Sequence, residues 1–401
     1  MKILVQKFGG TSVATFEKMA EVCEIVKRYK EDGNSVVLVV SAMGRKGAPY
    51  ATDTFIGLME EVNSNPSARE KDMIMSCGEL ISSTLMASML TAKGIEAVAL
   101  NGCQAGVETT GCFSNARIKD IKPHRILKEL EEGKVVVVAG FQGADENGDI
   151  TTLGRGGSDT SAVALGKALD CETVEIYTDV DGVMTADPRV EPDAKVLEQI
   201  DYEEVFQMAD KGAKVIHPRA VQIAKEGGIT IVIKNTLNPE YKGTRICSVK
   251  NMDREGFECC CQKERFAVAN KKGIAQVKIS DDGSFGNALS EMEEKGISMD
   301  MINFFIGEKA FVIDEKDIPA IEEIFKNSEV KPEIRRGCAK VTLIGSSMSG
   351  IPGVMAKLAK RFSDAGVPLL QTSDSNMTIS CLVDEGDMEK AVHAIHKEFC
   401  K

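Results

Sequence analysis

The chain has 401 residues, of which 43% are hydrophobic and 27% charged, and its formal net charge is −12. These values are typical of a globular protein with more than one domain, and the acidic balance opposes non-specific binding to nucleic acid or anionic membrane. The chain shows no leader segment and no apolar run long enough to cross a membrane, so we expect a cytoplasmic protein. Its cysteines form no C-x-x-C pair and are expected to be reduced and packed.

The first candidate site follows the first predicted strand. Lys7 and the glycines Gly9 and Gly10 come after the apolar run Ile3 to Val5, and a helical pattern starts near Ala14. Unpaired backbone N–H groups at a helix start favour an anion, so we interpret the stretch as a phosphate site. The alternative left open is an ordinary glycine turn with an exposed lysine.

Further strands are predicted at Val36 to Val40, Ile95 to Leu100 and Val135 to Ala139. The first of these runs into Ser41 and a polar loop that ends at Thr52. Ligands of open α/β sheets bind at the carboxyl ends of strands, so this loop is a candidate part of a binding site.

A long helix is predicted after Ser67, its expected N-cap. Gly78 and Glu79 interrupt the apolar stripe of this helix. The glycine would permit close backbone approach, and Glu79 either presents a carboxylate to a ligand amine or is an exposed surface residue.

A second glycine-rich loop, Gly154 to Asp159, leads into the predicted helix Thr160 to Leu169. Ser158 or Asp159 is the expected N-cap, and the guanidinium of Arg155 suits a carboxylate or a phosphate. The loop matches neither the Walker A pattern nor the dinucleotide fingerprint.

The predicted strand Thr173 to Tyr177 ends in another polar loop that starts with Thr178 and Asp179. His217, which precedes a proline, is expected to be structural, and His393 and His396 are expected to lie on a solvated helix face.

The pattern weakens between Asn238 and Glu264, where we place a domain boundary. Beyond it two stretches share one outline of strand, helix, glycine and strand, with helices near Phe285 to Lys295 and Val354 to Ala365. The repeat predicts a tandem of small α+β modules.

The chain resembles the aspartate kinases of the amino-acid kinase superfamily over essentially its whole length. Six motifs occur in the family's order and spacing, which makes the resemblance specific. They are KFGGTSV from Lys7, VVSAMG from Val39, SCGE from Ser76, GRGGSD from Gly154, TDVDGVMTADPR from Thr178 and GAKVIHPRA from Gly212.

The resemblance implies an α/β fold. A three-layer αβα catalytic domain with a mostly parallel central sheet would occupy residues 1–245, followed by a linker at 246–264. Two α+β ACT modules of the βαββαβ type would occupy 265–336 and 337–401. Such modules pair through their sheets and bind amino acids, so a homodimer or higher homo-oligomer is expected.

The resemblance also implies an activity. The γ-phosphoryl group of ATP, accompanied by Mg²⁺, would pass to the β-carboxylate of L-aspartate to give 4-phospho-L-aspartate. This is the first step towards lysine, threonine, methionine and diaminopimelate, and lysine, threonine or diaminopimelate would inhibit through the ACT modules. The alternatives are a non-catalytic amino-acid sensor and a kinase of another acidic amino acid.

Site residues follow from the same resemblance, motif by motif. Lys7 and Asp159 would be catalytic, and the aspartate-binding residues would be Thr52, Glu79, Arg155 and Ser158. The ATP-binding positions would be Lys7, Phe8, Gly9, Gly10, Ser41, Thr178, Asp179, Met184, Arg189, Lys214 and Val215. The effector positions would be Asp282, Asn303 and Asn376. No protein ligand is assigned to the metal ion.

Overall fold

The structure is a computed structural model that describes residues 1–213, 216–248, 266–280, 285–326, 331–345, 348 and 352–400. The chain divides into two compact units. The first comprises Met1–Val183, Val196–Phe206 and Lys214–Glu255, and the second Met184–Lys195, Gln207–Ala213 and Gly256–Lys401. Two short segments from the middle of the chain therefore belong to the unit that contains the carboxyl terminus.

The strands of the first unit are β1 (Ile3–Phe8), β2 (Ser35–Val40), β3 (Ala97–Leu100), β4 (Val107–Thr109), β5 (Ile118–Ile121), β6 (Val135–Ala139), β7 (Gln142–Ala144), β8 (Ile150–Thr152), β9 (Thr173–Thr178), β10 (Gln199–Asp201), β11 (Thr230–Asn235) and β12 (Thr244–Cys247). The helices of this part of the chain are α1 (Phe16–Glu31), α2 (Thr52–Val62), α3 (Ala68–Ala92), α4 (His124–Glu131), α5 (Gly157–Ala168), α6 (Tyr202–Asp210) and α7 (Pro218–Gly227). The last residues of α6 belong to the second unit.

An eight-stranded sheet forms the centre of the first unit, in the order β10-β12-β11-β9-β1-β2-β6-β3. All neighbouring strands are parallel except β11 and β12. Every residue of β6 is buried, as expected for a strand covered on both faces. The predicted α/β fold with a mostly parallel central sheet is confirmed.

A small four-stranded sheet, β5-β4-β7-β8, was not predicted. Its strands are three or four residues long, too short for an alternating pattern to be recognised. Helices α2 and α4 were also missed, and β12 lies inside the region where the pattern weakens. The three successive cysteines from Cys259 to Cys261 lie outside the described residues.

Helix α3 begins after Ser67, whose side chain accepts a hydrogen bond from the Glu70 N–H, as predicted. Among the described residues it is the one helix long and apolar enough to cross a membrane by length and composition, and half of that stretch is buried inside the protein. Buried core helices pass the same test, so the feature is weak evidence for a membrane span.

The second unit contains β13 (Phe266–Ser280), α8 (Phe285–Glu294), β14 (Asp300–Phe305), β15 (Glu308–Asp314), α9 (Ile318–Ile324), β16 (Glu333–Gly345), α10 (Val354–Asp364), β17 (Gln371–Asp374), β18 (Thr378–Asp384) and α11 (Met388–Phe399). Its six strands form one antiparallel sheet in the order β14-β15-β13-β16-β18-β17. The predicted repeat is present as β13-α8-β14-β15-α9 and β16-α10-β17-β18-α11.

Each copy of the repeat has its own hydrophobic cluster. Phe285, Phe311 and Ile321 are members of the first cluster. The second joins α10 and α11 to β16, β18 and the start of β13, and it includes Ala186 from the segment 184–195. That segment is therefore built into the core of the second unit.

Candidate active site

Lys7 and Asp159 meet although 151 residues separate them in the chain. Lys7 lies near the end of β1 and Asp159 in the first turn of α5, and Lys7 Nζ is 2.6 Å from Asp159 Oδ1. The two side chains are only 12% and 14% exposed. Because both charges are largely withdrawn from water, removing one would leave the other poorly compensated.

The glycines after β1 allow two loops to touch. A Cβ atom on Gly10 would lie 2.6 Å from the Ala42 carbonyl oxygen and 2.7 Å from that of Gly44. The Gly44 N–H donates a 3.0 Å hydrogen bond to the Gly10 carbonyl, and the Gly9 N–H donates to the Tyr177 carbonyl at 3.4 Å. Only glycine leaves room for this approach at position 10.

The helix predicted to start near Ala14 begins two residues later. Helix α1 begins six residues after Gly10, at Phe16, and the Thr15 side chain accepts a hydrogen bond from the Lys18 N–H. Thr15 thus caps the helix, and a turn separates it from the glycines. The ring of Phe8, the last residue of β1, stacks on Tyr177 with 4.6 Å between centroids.

Glu79 is buried, with 4% of its surface exposed, which excludes the alternative of a surface residue. Its Oε1 accepts a 3.0 Å hydrogen bond from the Ala42 N–H, next to Ser41. Its Oε2 is buried and has no hydrogen-bond partner among the described residues. Burial raises the pKa of Glu79 to about 8. A buried acceptor of this kind suits a cationic ligand group.

Gly78 allows α3 to pack closely against the loop that follows β2, as predicted. A Cβ atom on this residue would lie 2.7 Å from that of Ala42 and 3.3 Å from the Tyr50 carbonyl oxygen. Ser82, one turn further along α3, donates a 2.7 Å hydrogen bond to the Ser41 carbonyl. These contacts hold the Ser41 loop beside Glu79.

Thr52 directly follows the polar loop and is the first residue of α2, a helix that was not predicted and that has no buried residue. The loop before it carries Arg45, whose guanidinium forms a 2.7 Å ion pair with Asp179. Both partners are at least half exposed, so the pair contributes little stability.

The second glycine-rich loop precedes α5, but its predicted cap is wrong. The N-cap is Gly156 in the left-handed conformation with φ of 67°, and it makes no side-chain capping bond. Ser158 and Asp159 lie inside the helix, and Ser158 is buried. A Cβ on Gly156 would lie 2.3 Å from the His217 side chain, so the close packing of His217 requires glycine.

Arg155 is exposed and has no ion pair or hydrogen bond to any residue in the described part of the chain. Its guanidinium is therefore available to a ligand. His217 is structural, as predicted: its Nδ1 accepts a hydrogen bond from the Arg219 N–H at the start of α7. Burial lowers the pKa of His217.

Asp72, a residue that sequence reasoning missed, supports the Arg155 loop. It is fully buried in α3 and accepts hydrogen bonds from the backbone and hydroxyl of both Ser114 and Thr152. Gly154, next to Arg155, lies against the Ser114 carbonyl. The only signal in the sequence was a carboxylate beside the apolar stripe of a helix.

The remaining predicted ATP positions are divided between the units. Thr178 ends β9, and its carbonyl accepts a 3.0 Å hydrogen bond from the Thr236 N–H. Met184 and Arg189 belong to the second unit, where the Arg189 guanidinium binds both carboxylate oxygens of Asp187. Lys214 and Val215 lie outside the described residues.

The predicted effector residues lie in the second unit. Asn303 in β14 accepts a 2.6 Å hydrogen bond from Gln371 in β17. The Asn376 carbonyl accepts a hydrogen bond from the Met348 N–H, and Asp282 lies outside the described residues. Within the described ranges no group of three or more His, Cys, Asp or Glu side chains is arranged to hold a metal ion.

Comparison with known proteins identifies the family. The amino acid kinase family matches residues 2–235, and an ACT domain matches residues 333–397. Aspartokinase 1 of Bacillus subtilis is 43% identical over 100% of this chain and 99% of its own length. The aspartokinase of Geobacillus stearothermophilus is 38% identical over 100% of this chain and 97% of its own length.

A solved structure shares the fold. Aspartokinase III of E. coli, determined in complex with aspartate and ADP, superposes with a TM-score of 0.78 at 24% identity and covers 100% of both chains. The chain belongs to the amino acid kinase family and, within it, to the aspartokinases.

Proposed function

We propose that the protein transfers the γ-phosphoryl group of ATP to the β-carboxylate of L-aspartate, giving 4-phospho-L-aspartate and ADP. The observation that carries the proposal is the unpartnered Oε2 of buried Glu79, a feature that fits the α-ammonium group of an amino acid. Family membership and the nearly buried Lys7–Asp159 pair support it. A scaffold that had lost catalysis would have no need to keep these charges.

The acceptor carboxylate of aspartate is already ionised at neutral pH, so no general base is required. Catalysis then depends on in-line positioning and on stabilising the charge of the transferring group. We assign that stabilisation to the Lys7 ammonium. Asp159, 2.6 Å from Lys7 Nζ, orients this ammonium.

Four residues are assigned to aspartate. Glu79 receives the ammonium group, and the exposed guanidinium of Arg155 clamps a carboxylate through two parallel hydrogen bonds. Thr52 and Ser158 add hydroxyl contacts. This division of charge, one anion for the ammonium and one cation for a carboxylate, favours an amino acid over a simple dicarboxylic acid.

Backbone groups and the side chains around them are assigned to bind the nucleotide. Gly9 and Gly10, which carry no side chain that could keep a phosphate from the backbone, are assigned to the phosphates. The other assigned positions are Lys7, Phe8, Ser41, Thr178, Asp179, Met184, Arg189, Lys214 and Val215. Mg²⁺ accompanies ATP and is held by phosphate oxygens and water, as is usual for this ion.

The carboxyl-terminal half is assigned to regulation. Two ACT modules, 265–336 and 337–401 after a linker at 246–264, bind lysine, threonine or diaminopimelate and inhibit the kinase domain at 1–245. Asp282, Asn303 and Asn376 are the assigned effector positions. The two copies of the repeat and the ACT match at 333–397 support two modules, although β16 and the ACT match both begin at residue 333, four residues before the start assigned to the second module.

We further propose that the protein forms a homodimer or a higher homo-oligomer and that it is located in the cytoplasm. Strand β14 lies at an edge of its sheet, and the side chains of Phe304, Phe305 and Ile306 at its end are exposed. An exposed apolar edge strand favours pairing with another chain. Light scattering of the purified protein measures the assembly directly.

The test of function is ADP release from Mg-ATP, measured with and without aspartate. We expect turnover that depends on aspartate, and faster turnover with aspartate than with glutamate. Absence of turnover would favour a non-catalytic amino-acid sensor, and faster turnover with glutamate would favour a kinase of another acid. Inhibition by lysine, threonine and diaminopimelate, alone and in pairs, then identifies the effector.

A further inference from the structure

The segment 184–195 is assigned to nucleotide binding, yet it is packed into the unit that is assigned to regulation. It carries Met184 and Arg189, which are assigned to the nucleotide, and it belongs to the unit that contains the ACT match. Ala186 is 4% exposed within the cluster formed by α10, α11 and their sheet, and Val190 and Ala194 pack against that cluster. The Val268 N–H of β13 donates a 2.7 Å hydrogen bond to the Thr185 carbonyl.

A buried polar cluster fixes the same segment to helix α11. Thr185 Oγ1 lies 2.9 Å from His396 Nε2, and Glu191 Oε2 lies 2.7 Å from His393 Nδ1 and 3.8 Å from His396 Nδ1. Thr185, Glu191 and His396 are each at most 6% exposed. The expectation that His396 lies on a solvated face is therefore wrong.

The hydrogen-bond pattern assigns the proton of His396. Thr185 Oγ1 accepts a hydrogen bond from the Lys195 N–H at 2.9 Å, so its own hydrogen is free to be donated to His396 Nε2. The ring proton then resides on Nδ1, on the side of Glu191. Burial lowers the pKa of His396, which is consistent with a neutral ring that accepts from Thr185.

Glu191 also forms hydrogen bonds within the segment 184–195 itself. Its Oε1 accepts a 3.1 Å hydrogen bond from the Asp193 N–H. Its own N–H donates to the Asp187 carbonyl at 2.8 Å, beside Arg189. Burial is the largest single influence on the pKa of Glu191 and acts to raise it, but the hydrogen bonds from His393 and the Asp193 N–H, together with the charge interactions of His393 and His396, outweigh burial and hold that pKa below its ordinary value.

We infer that Thr185, Glu191 and His396 are positioning residues that hold the segment 184–195 in its nucleotide-binding conformation, so that helix α11 sets the affinity for ATP. The inference rests on the proposed function through the assignment of Met184 and Arg189. None of the three residues needs to touch the nucleotide. Loss of the Thr185–His396 contact frees one end of the segment and weakens ATP binding, while aspartate binding is unaffected.

The test uses the full-length protein and measures the dissociation constant of Mg-ATP by calorimetry, without aspartate. We expect His396→Leu to raise this constant at least about fivefold, the equivalent of one net hydrogen bond. His396→Gln retains an acceptor at the position of Nε2 and is expected to remain close to wild type. Thr185→Val removes the hydroxyl at nearly constant volume and tests the contact from the other side, even if His396→Leu fails to fold.

Glu398→Gln is the matched control on the same helix. It removes the ion pair between Glu398 and Arg361 of α10 and leaves the Thr185 and Glu191 contacts in place. It is expected to lower the melting temperature slightly without changing ATP affinity. An unchanged ATP constant in both Thr185→Val and a folded His396→Leu would overturn the inference, because the cluster would then be only structural.

Different results would contradict the proposed function and the positioning role of Thr185, Glu191 and His396. A wild-type protein that binds Mg-ATP but shows no turnover with aspartate contradicts the proposed function, while the calorimetric comparison of variants still decides the positioning role. A wild-type protein that does not bind Mg-ATP overturns both.

Discussion

Replacing Glu79 by glutamine is expected to raise stability relative to the wild type, increasingly from about pH 4.5 to pH 8, while weakening the binding of aspartate. The native pKa of about 8, against an ordinary value of 4.5, means that the unfolded chain releases this proton first as pH rises. The wild type therefore loses stability between those two values and levels off above pH 8. The loss amounts to about 1.4 kcal/mol per pH unit, or about 5 kcal/mol in all.

Glutamine carries no charge at any pH, so the variant lacks this loss. Its Oε1 can still accept the hydrogen bond from the Ala42 N–H, and the local fold should persist. The melting temperature of Glu79→Gln minus that of the wild type should thus increase from pH 5 to pH 8. Glu70→Gln is the control, because Glu70 lies in the same helix and is 49% exposed.

The same variant separates stability from binding. The ammonium group of aspartate favours the ionised form of Glu79, so the KM of the wild type for aspartate should fall as pH rises towards 8. Glu79→Gln should have a high KM for aspartate that no longer depends on this ionisation. A melting difference that is constant with pH, or a KM equal to that of the wild type, would refute the reasoning.

Three further substitutions test the rest of the site. Lys7→Ala should lower kcat at least about 100-fold, the effect of losing one preorganised donor, with the circular dichroism spectrum retained; a kcat near that of the wild type would contradict its role. Arg155→Ala should chiefly raise the KM for aspartate, and an unchanged KM would remove this residue from the aspartate site. Gly10→Ala should cost about 1–3 kcal/mol of stability, because its Cβ would lie 2.6 Å from the Ala42 carbonyl oxygen. Gly57→Ala, whose Cβ would meet nothing within 4 Å in helix α2, is its control in thermal unfolding and should not destabilise.

The central sheet could be predicted because its strands carry a local signal. The run Val135 to Ala139 is continuous and β-branched, and β6 has the same bounds. Ser67 was recognised as a cap for the same reason, since an N-cap interacts with residues only a few positions away. The short strands β4, β5, β7 and β8 carry too few residues for such a signal.

The site was harder to predict, because its contacts join distant parts of the chain. Whether Glu79 is exposed or buried depends on the packing of α3 against the loop at Ala42, which no window around Glu79 contains. Ser158 resembles a cap, but the backbone of Gly156 adopts a left-handed conformation and the helix starts at the next residue. The burial of His396 depends on Thr185, 211 positions earlier in the chain.

The interleaving of the two units limits how this protein can be divided or recombined. A polypeptide ending at residue 248 would retain the segment 184–195 but lose the helices that cover Ala186, Val190 and Ala194. Three apolar side chains would then face water, and such a fragment should be prone to aggregation. A hybrid that exchanges the carboxyl-terminal half with a relative should therefore take residues 184–195 and 207–213 from the same parent as that half.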